Sequence, residues 1–370
     1  MTARAERRFL VVVVATLLSL GCIAVYSATA IQGMAVYGQS LRFLLHHVIA
    51  IIIGIGFGTA CLAIPADALR RSAKWLLLIS VVLLALVLWL APEISGARRW
   101  FRMGPLSIQP SEFAQLSLIV YVSDFLARKR AVIGNLREGF LPPIMVLGVM
   151  ALLVLAQPDL GTTIVMASVV MLLLMVAKAR GRHISLTALL GVVALIVLIA
   201  GESYRRRRIL AFLNPWQDPQ GAGFQILQSY LALASGGIVG EGLGESMQKL
   251  FFLPGAHTDF IFAIIGEELG LLGTTAMLAL FGLFVLCGIR MAQAADDLFK
   301  KYLITGCVAL IAFEAIVHMA VDIGLLPTKG LPLPLVSYGG TAMVGNLLAC
   351  ALIVQASRPE PTALLPSEAT

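Results

Sequence analysis

An acidic residue stands at the edge of an apolar segment, and a run of arginines precedes it in the same connecting region. The acid is Asp259, in the stretch Leu-Pro-Gly-Ala-His-Thr-Asp-Phe that begins at Leu253, and the cations are Arg205 to Arg208. A carboxylate can exchange a proton with a substrate hydroxyl, and guanidinium groups bind phosphate oxygens through paired hydrogen bonds. These residue types together indicate chemistry on a phosphate-bearing substrate.

The composition places these residues in a membrane protein. Hydrophobic residues make up 59% of the 370 positions and charged residues only 13%, whereas soluble domains carry roughly 25% charged residues. The first apolar segment, 9 to 30, exceeds the core of about 7 to 15 residues in a signal peptide, so it is expected to remain as a helix. The five cysteines lie in apolar stretches without metal-binding or redox spacing, and we expect them to be packing residues.

About ten apolar segments are long enough to cross a bilayer core of about 30 Å. They cover residues 9 to 30, 42 to 64, 73 to 91, 111 to 127, 139 to 156, 162 to 179, 184 to 201, 260 to 289, 299 to 323 and 337 to 356. Backbone groups in lipid must be satisfied within their own segment, and the pattern lacks the short alternating strands of a barrel. We therefore predict an all-α polytopic integral membrane protein with a single transmembrane domain over residues 1 to 356. The polar tail, 357 to 370, is predicted to be cytoplasmic and disordered.

Basic residues predict the orientation of the chain. They occur at the amino terminus and in alternate connections, which the positive-inside rule assigns to the cytoplasm. These residues are Arg4, Arg7, Arg8, Arg70, Arg71, Lys74, Arg128, Lys129, Arg130, Lys178, Arg180, Arg182, Arg290, Lys300 and Lys301. Both termini are therefore predicted to be cytoplasmic, in a multi-pass protein of the cytoplasmic (inner) membrane.

Three connections on the opposite side also carry cations. They contain Arg98, Arg99 and Arg102, then Arg205 to Arg208, then Lys329. One interpretation is a solvated surface that tolerates charge. The other is that cations from separate loops converge on an anion, such as a lipid diphosphate in the outer leaflet. The pattern alone leaves both open, and it indicates no nucleic acid as a partner.

The longest connection, 202 to 258, lies between the seventh and eighth segments and is predicted to be a large extracytoplasmic loop. It alternates apolar and polar residues, and long ordered loops in compact proteins are usually functional. Its glycine-rich part, 236 to 244, lacks the Lys-Ser/Thr ending of a phosphate-binding loop. We expect these glycines to permit tight turns and assign them no catalytic role.

Several motifs along almost the whole chain resemble those of the SEDS family (shape, elongation, division and sporulation). They are Arg98 to Trp100, Gln109 to Glu112, Gln157 to Thr162, Tyr204 to Arg208 with Asp218 and Pro219, His257 to Phe260, Gly266 to Gly270, and Pro332 to Gly340. Two further segments, 248 to 251 and 326 to 330, are more similar to the division and sporulation types than to the elongation type.

This resemblance implies a peptidoglycan glycosyltransferase that polymerises lipid II at the outer face of the cytoplasmic membrane for septal wall synthesis. It implies a class B penicillin-binding transpeptidase and other division-complex membrane proteins as partners. Asp259 matches the essential acid of the family. The residues expected to bind substrate are Arg99, Arg102, Glu112, Arg206, Arg208, Gln228, His257, Lys329 and Ser337.

Two chemical roles for Asp259 remain open at this point. As a general base it would take the proton of an acceptor hydroxyl, which requires a pKa raised toward working pH. However, Thr258 is a candidate N-cap, and the amino terminus of a helix favours an ionised carboxylate, which suits a ligand of Mg²⁺ or Mn²⁺ better. A third reading is that Asp259 only caps the helix.

The sequence departs from the family pattern at several positions. Gln115 stands where lysine is common, and Gly255 replaces a frequent glutamate. In the ninth segment Glu314, His318 and Asp322 recur every four residues on one helix face, where the family usually has amide or apolar residues. Ionisable residues inside membrane helices are functional candidates, so this intramembrane polar stripe could relay protons. The alternative is a mutually hydrogen-bonded set without a relay function.

Two non-enzymatic functions compete with polymerisation. A lipid II flippase would use the polar stripe and the charged cavity for ion coupling, but the inverted repeats of many transporters are not evident. A scaffold would only recruit the transpeptidase and would not need Asp259.

Overall fold

In the computed structural model, each of the predicted apolar segments coincides with a helix. The structure describes residues 3–93, 96–103, 106–250 and 252–359. Within them the helices are α1 (Ala3–Tyr37), α2 (Arg42–Leu62), α3 (Ala66–Leu90), α4 (Pro110–Arg128), α5 (Leu141–Ala156), α6 (Leu160–Val176), α7 (Gly181–Gly201), α8 (Ser203–Leu213), α9 (Phe224–Gly236), α10 (Ile261–Gln293), α11 (Leu298–Asp322) and α12 (Gly340–Ala356). The predicted all-α class is confirmed. Most of the tail predicted to be disordered, 360–370, lies outside the described residues.

Seven of the described helices are long and apolar enough to cross a membrane. They are α1, α2, α3, α7, α10, α11, and α5 with the helical turn that precedes it from Leu136. Helices α6 and α12 are apolar but shorter, at 17 residues each. The number of spans, about ten, therefore stays a prediction.

Helix α11 lies at the centre of the bundle, and α7 lies at its edge. Helices α4, α6, α10 and α12 all pack against α11, whose buried residues continue through the whole helix from Phe299 to Asp322. By contrast, α7 buries only His183. Polar groups on α11 are therefore enclosed by protein and must find their partners there.

The start of α1 and the residue after α12 meet at one end of the bundle, where several basic residues lie. Arg7 donates a hydrogen bond to the carbonyl of Ser357 at 3.2 Å. Asp124 in α4 forms ion pairs with Arg70 at 3.0 Å and Arg128 at 2.8 Å. We call this the basic end; which membrane face it meets stays a prediction.

The connection predicted as a long loop contains two helices. Helices α8 and α9 lie within residues 202–258, which explains the apolar and polar alternation there. A two-stranded antiparallel hairpin, β1 (Phe101–Met103) with β2 (Leu106–Ile108), joins α3 to α4 and was not predicted. Helix α9 packs against α10, and β2 packs against α12.

The glycine-rich part of this connection pairs with a break in α10. Gly270 has a φ of 65° inside the helix, and this break frees backbone groups that α10 cannot satisfy alone. Glu241 donates its N–H to the carbonyl of Glu267 at 3.0 Å, and Leu271 donates to the carbonyl of Gly237 at 2.9 Å. A Cβ on Gly270 would lie 2.5 Å from the nitrogen of Gly240. Glycine therefore permits the backbone of the loop to enter the helix break.

Two neighbouring glutamates of α10 hold the following part of the loop. Glu268 pairs with Lys249 at 2.8 Å, and both side chains are less than 5% exposed. Glu267 accepts hydrogen bonds from the hydroxyl of Ser246 and from the backbone N–H of Met247. Breaking a buried ion pair leaves one charge without compensation, so this cluster ties the loop firmly to α10.

We predict that Gly270→Ala destabilises the protein and that Gly282→Ala, in the same helix, does not. Alanine at 270 would have to adopt a positive φ and displace the backbone of Gly240, at a cost of about 2 kcal/mol or more. At Gly282 nothing lies within 4 Å of an added Cβ, and alanine favours a helix by up to about 1 kcal/mol. Thermal unfolding in detergent measures both. Equal unfolding temperatures for the two variants would contradict the strained break.

Candidate functional site

A tight turn presents Asp259 just before α10. The carbonyl of Gly255 accepts hydrogen bonds from the backbone N–H of Thr258 at 3.0 Å and of Asp259 at 2.9 Å. Gly255 has a φ of 75°, which glycine adopts without strain. A glutamate at this position, as the family often has, would be strained in this turn.

The prediction that Thr258 caps α10 is wrong. The N-cap is Phe260, which supplies no side-chain hydrogen bond, and the hydroxyl of Thr258 donates back to the carbonyl of Gly255 at 3.2 Å. Asp259 precedes the N-cap and is not the cap either. The reading in which Asp259 only caps the helix is therefore wrong.

The segment before α12 supports the Asp259 turn from the other side. The hydroxyl of Ser337 donates to the carbonyl of Thr258 at 2.7 Å and accepts from the N–H of Leu333 at 2.8 Å. Tyr338 donates its N–H to the carbonyl of His257 at 3.0 Å. Ser337 is 3% exposed and its hydroxyl is fully engaged, so the structure gives it a positioning role. Its predicted contact with substrate stays a prediction.

The ring of His257 belongs to an aromatic cluster beside this turn. Its centroid lies 5.4 Å from that of Phe43 in α2 and 5.6 Å from that of Tyr338. Burial lowers the pKa of His257, so the neutral imidazole is favoured. A neutral ring among aromatic rings packs the turn against α2 and adds no charge to the site.

The carboxyl group of Asp259 is largely removed from water. Burial raises its pKa to about 6, although attraction to Arg208 and the hydrogen bond with Thr258 act in the opposite direction. A carboxylate whose pKa lies near working pH can accept a proton effectively. This electrostatic setting favours a general base.

Arg208 is held in place by two contacts of its own. Its guanidinium donates to the carbonyl of Thr328 at 3.1 Å and lies 4.6 Å from the ring centroid of Tyr204. Stacking on an aromatic ring suits a guanidinium and leaves part of its donor fork free. The arginine run, Arg205 to Arg208, lies in the first turns of α8. The positive charge of Arg208 acts on Asp259 and lowers the pKa of its carboxyl group.

The segment that carries Lys329 runs beside Asp259. A Cβ placed on Gly330 would lie 3.5 Å from a carboxylate oxygen of Asp259. Burial lowers the pKa of Lys329, while the carboxylate of Asp159 raises it. The structure thus brings a carboxyl group and two cationic segments, which are far apart in the sequence, to one place.

Arg99, two residues before β1, joins its segment to the turn between α5 and α6 by hydrogen bonds. Its Nε donates to the carbonyl of Gln157 at 2.6 Å, another donor binds the carbonyl of Pro158, and its guanidinium lies 3.9 Å from Asp159. Asp159 in turn caps α6 by accepting from the N–H of Thr162 at 3.1 Å. Arg99 therefore has fewer donors to offer a ligand than its charge suggests.

Three other predicted substrate-binding residues keep their polar groups free. Within the described residues, the side chains of Arg102, Arg206 and Gln228 have no hydrogen-bond or ion-pair partner. Arg206 is exposed and Gln228 half-buried. Their donors remain available, but the structure gives no contact that joins them to Asp259.

The intramembrane polar stripe divides into two separate groups. Glu314 is hydrogen-bonded with Gln115 and lies near Glu112 across the contact of α11 with α4. His318 and Asp322 form a pair, with 3.5 Å between Nε2 and Oδ2, at the start of α10. The expectation of one mutually bonded set is therefore wrong, because α4 and α10 provide closer partners. Gln115, which replaces the common lysine, serves as the amide partner of Glu314.

The residues present do not form a metal site by themselves. Among the described residues, no three His, Cys, Asp or Glu side chains are grouped so that they could hold a metal ion. Asp259 offers a single carboxylate next to cationic groups. Mg²⁺ or Mn²⁺ would thus depend on substrate phosphates for its other ligands.

Comparison with known sequences identifies related proteins over most of the chain. The profile of the cell cycle protein family that comprises FtsW, RodA and SpoVE matches residues 7–361. A Geobacter metallireducens protein named "Probable peptidoglycan glycosyltransferase FtsW" is 41% identical over 339 residues, which cover 91% of this chain and 90% of that protein. Stage V sporulation protein E of Bacillus subtilis is 38% identical over 353 residues, covering 94% and 96% of the two chains.

Two solved structures share the fold. A chain of a peptidoglycan synthase complex that coordinates polymerization and crosslinking superposes with a TM-score of 0.78 at 28% identity, and the match covers 94% of this chain and 96% of that one. The rod shape determining protein RodA of Thermus thermophilus superposes with a TM-score of 0.72 at 26% identity, covering 94% and 95%.

We predict that Asp259→Asn stabilises the protein at alkaline pH and not at acidic pH. The pKa of Asp259 is raised from 3.8 to about 6 on folding, so the ionised carboxylate costs stability as the pH rises through about 6. Below the unfolded pKa both states are protonated and the difference disappears. Thermal unfolding at several pH values measures this effect, with Glu245→Gln as an exposed control. A difference that does not change with pH would contradict the raised pKa.

Proposed function

Since the chain belongs to the FtsW, RodA and SpoVE family of cell cycle proteins, we propose that it is a peptidoglycan glycosyltransferase that polymerises lipid II. It is a multi-pass membrane protein, and its site lies at the end of the bundle opposite the basic end. By the positive-inside rule that end faces the outside of the cytoplasmic membrane. The relatives named FtsW favour a role in septal wall synthesis.

One observation carries the proposal: a largely buried carboxyl group whose pKa is about 6 stands between two cationic segments. Asp259 accepts the proton of the 4-hydroxyl of the acceptor sugar. The hydroxyl oxygen forms the new bond to the anomeric carbon of the donor, with inversion. The bond between that carbon and the diphosphate oxygen breaks, and the lipid diphosphate leaves with the electron pair.

The cations are suited to the leaving group. A departing diphosphate gains negative charge, which Arg208 and Lys329 stabilise in a partly desolvated setting. Arg102, Arg206 and Gln228 have free donors and bind the phosphates or the sugars farther from the reacting carbon. Glu112 lies at the contact of α4 with α12, where a Cβ on Gly345 would be 3.5 Å from its Cβ, and its contact with substrate stays a prediction.

The proposed partner is a class B penicillin-binding transpeptidase, together with other division-complex membrane proteins. A structurally similar chain functions in a complex that couples polymerization with crosslinking. A polymerase that releases uncrosslinked strands needs such a partner to complete the wall. Helix α7, with only one buried residue, and the apolar faces of the outer helices offer surface to lipid and to a single-pass partner helix.

The decisive experiment measures polymerisation of labelled lipid II by the purified protein together with its transpeptidase. We predict that Asp259→Ala and Asp259→Asn lower the rate by about a hundredfold or more, because general-base catalysis contributes about that much. Wild-type kcat/KM should rise with pH through an apparent pKa near 6. Glu245→Gln, an exposed carboxylate of the same connection, should remain as active as wild type.

Other outcomes favour the competing functions. Lipid II that crosses the bilayer without being consumed would support a flippase. Normal growth of cells that carry Asp259→Ala would support a scaffold. Activity that a chelator abolishes and that Mg²⁺ or Mn²⁺ restores would make Asp259 a metal ligand instead of the base.

We predict that Glu314→Gln preserves polymerisation to within about threefold, because an amide can still bond Gln115. The divided polar stripe offers no continuous chain of groups for ion coupling. Rates of polymerisation for Glu314→Gln and wild type test this, with thermal unfolding as the check on folding. A loss comparable to that of Asp259→Ala would show that Glu314 titrates during the reaction.

A further inference from the structure

The start of α10 is capped by a side chain from another helix. Asp322, the last residue of α11, accepts a hydrogen bond at its Oδ2 from the backbone N–H of Ala263 at 3.1 Å. Ala263 is the third residue of α10, where a capping oxygen normally binds. The side chain of the N-cap residue Phe260 has no oxygen, and its carbonyl shares the N–H of Ala263 at 3.1 Å, so Asp322 takes the place of a local capping side chain.

The neighbouring His318 holds a different segment of the site. Its Nδ1 lies 2.7 Å from the carbonyl of Leu331. The side chain of Leu331 in turn packs on Gly161. A Cβ added to Gly161 would lie 3.0 Å from Cγ of Leu331. His318 therefore fixes the segment that carries Lys329, two residues before Leu331.

His318 and Asp322 lie side by side without a hydrogen bond between them. A carbonyl oxygen can only accept, so Nδ1 of His318 carries a hydrogen. In a neutral ring Nε2 then presents a lone pair, and it lies 3.5 Å from Oδ2 of Asp322. Two lone pairs would repel each other at this fully buried position, where Asp322 is 0% and His318 1% exposed. Each side chain is instead held by its own backbone partner, Leu331 for His318 and Ala263 for Asp322.

We propose that His318 and Asp322 are positioning residues that fix Asp259 relative to Lys329. One buried pair binds the first turn of α10, which follows Asp259, and the segment that follows Lys329. It therefore sets the spacing between the base and the cation that meets the leaving diphosphate. This inference rests on the proposed glycosyl transfer, and it concerns two residues that touch neither substrate nor the reacting atoms.

The test compares two substitutions at one position. Asp322→Asn keeps an oxygen for the N–H of Ala263. Its new N–H cannot also be placed against Nε2 of His318, because both contacts of Asp322 use the same atom, Oδ2. Asp322→Ala loses the hydrogen bond to Ala263. Ser229→Ala is the matched control, because the hydroxyl of Ser229 donates to the backbone carbonyl of Asp322 at 2.7 Å and takes no part in the cap.

Hydrogen exchange measures the cap without any reference to activity. In a peptide that covers residues 261 to 268, we expect Asp322→Ala to increase the exchange rate of the protected amides by about tenfold, the effect of losing one cap. Asp322→Asn and Ser229→Ala should match wild type. Equal exchange in Asp322→Ala and wild type would overturn the proposed cap.

Kinetics measure the consequence for the site. We expect Asp322→Ala to lower kcat by about tenfold to a hundredfold with little change in KM, because misplaced catalytic groups slow the chemical step. Asp322→Asn should retain kcat to within about threefold, since its amide oxygen still accepts from the N–H of Ala263. Equal losses in kcat for Ala and Asn would overturn the positioning role and point to the charge instead.

The two proposals fail in different ways. If wild type does not polymerise lipid II, the glycosyltransferase proposal fails while the exchange result still decides the cap. If wild type polymerises but Asp322→Ala keeps full kcat, only the positioning role fails. Should Asp322→Ala not fold, His318→Ala provides the second test, because it leaves the cap intact, frees the segment of Lys329 and should likewise lower kcat without raising exchange in α10.

Discussion

The first turn of α10 has no capping side chain of its own. Several groups of the site hold it in place instead. Ser337 and the backbone of Tyr338 bind the turn from one side. Asp322 binds the first turn of the helix from α11. An uncapped helix end that is buried leaves N–H groups without partners, which costs more than exposing them to water. Every support of the helix end therefore also supports the carboxyl group of Asp259.

A second constraint is that several charges buried in the bundle are held in ion pairs. Lys249 and Glu268 tie the glycine-rich segment to α10, and Asp124 joins two arginines at the basic end. Because these pairs are complete, they stabilise the bundle and are not available to a ligand. The site differs in that its carboxyl group is desolvated and its cations keep free donors. A desolvated carboxyl group beside cations with free donors distinguishes the candidate site from the ion pairs that only hold helices together.

The types of residue in the site were predictable, but their functions were often not. The sequence singled out Asp259, Arg208 and Lys329, and the structure brings their segments together. The sequence could not show that the hydroxyl of Ser337 donates its hydrogen bond to the backbone carbonyl of Thr258, because the two residues lie far apart along the chain. The four-residue spacing correctly predicted that Glu314 and Asp322 share one face of α11. Their hydrogen-bond partners, however, come from α4 and α10, and the periodicity of α11 does not reveal them.

The helical class, the approximate positions of the apolar helices and the family could all be predicted from the sequence. These follow from local properties: apolar length and motifs of adjacent residues. The groups that cap α10, the entry of the glycine-rich segment into the break at Gly270, and the cations that approach Asp259 became visible in the folded protein alone. Each of these depends on hydrogen bonds or burial between residues from distant parts of the chain. Such contacts arise from packing, and no local pattern encodes them.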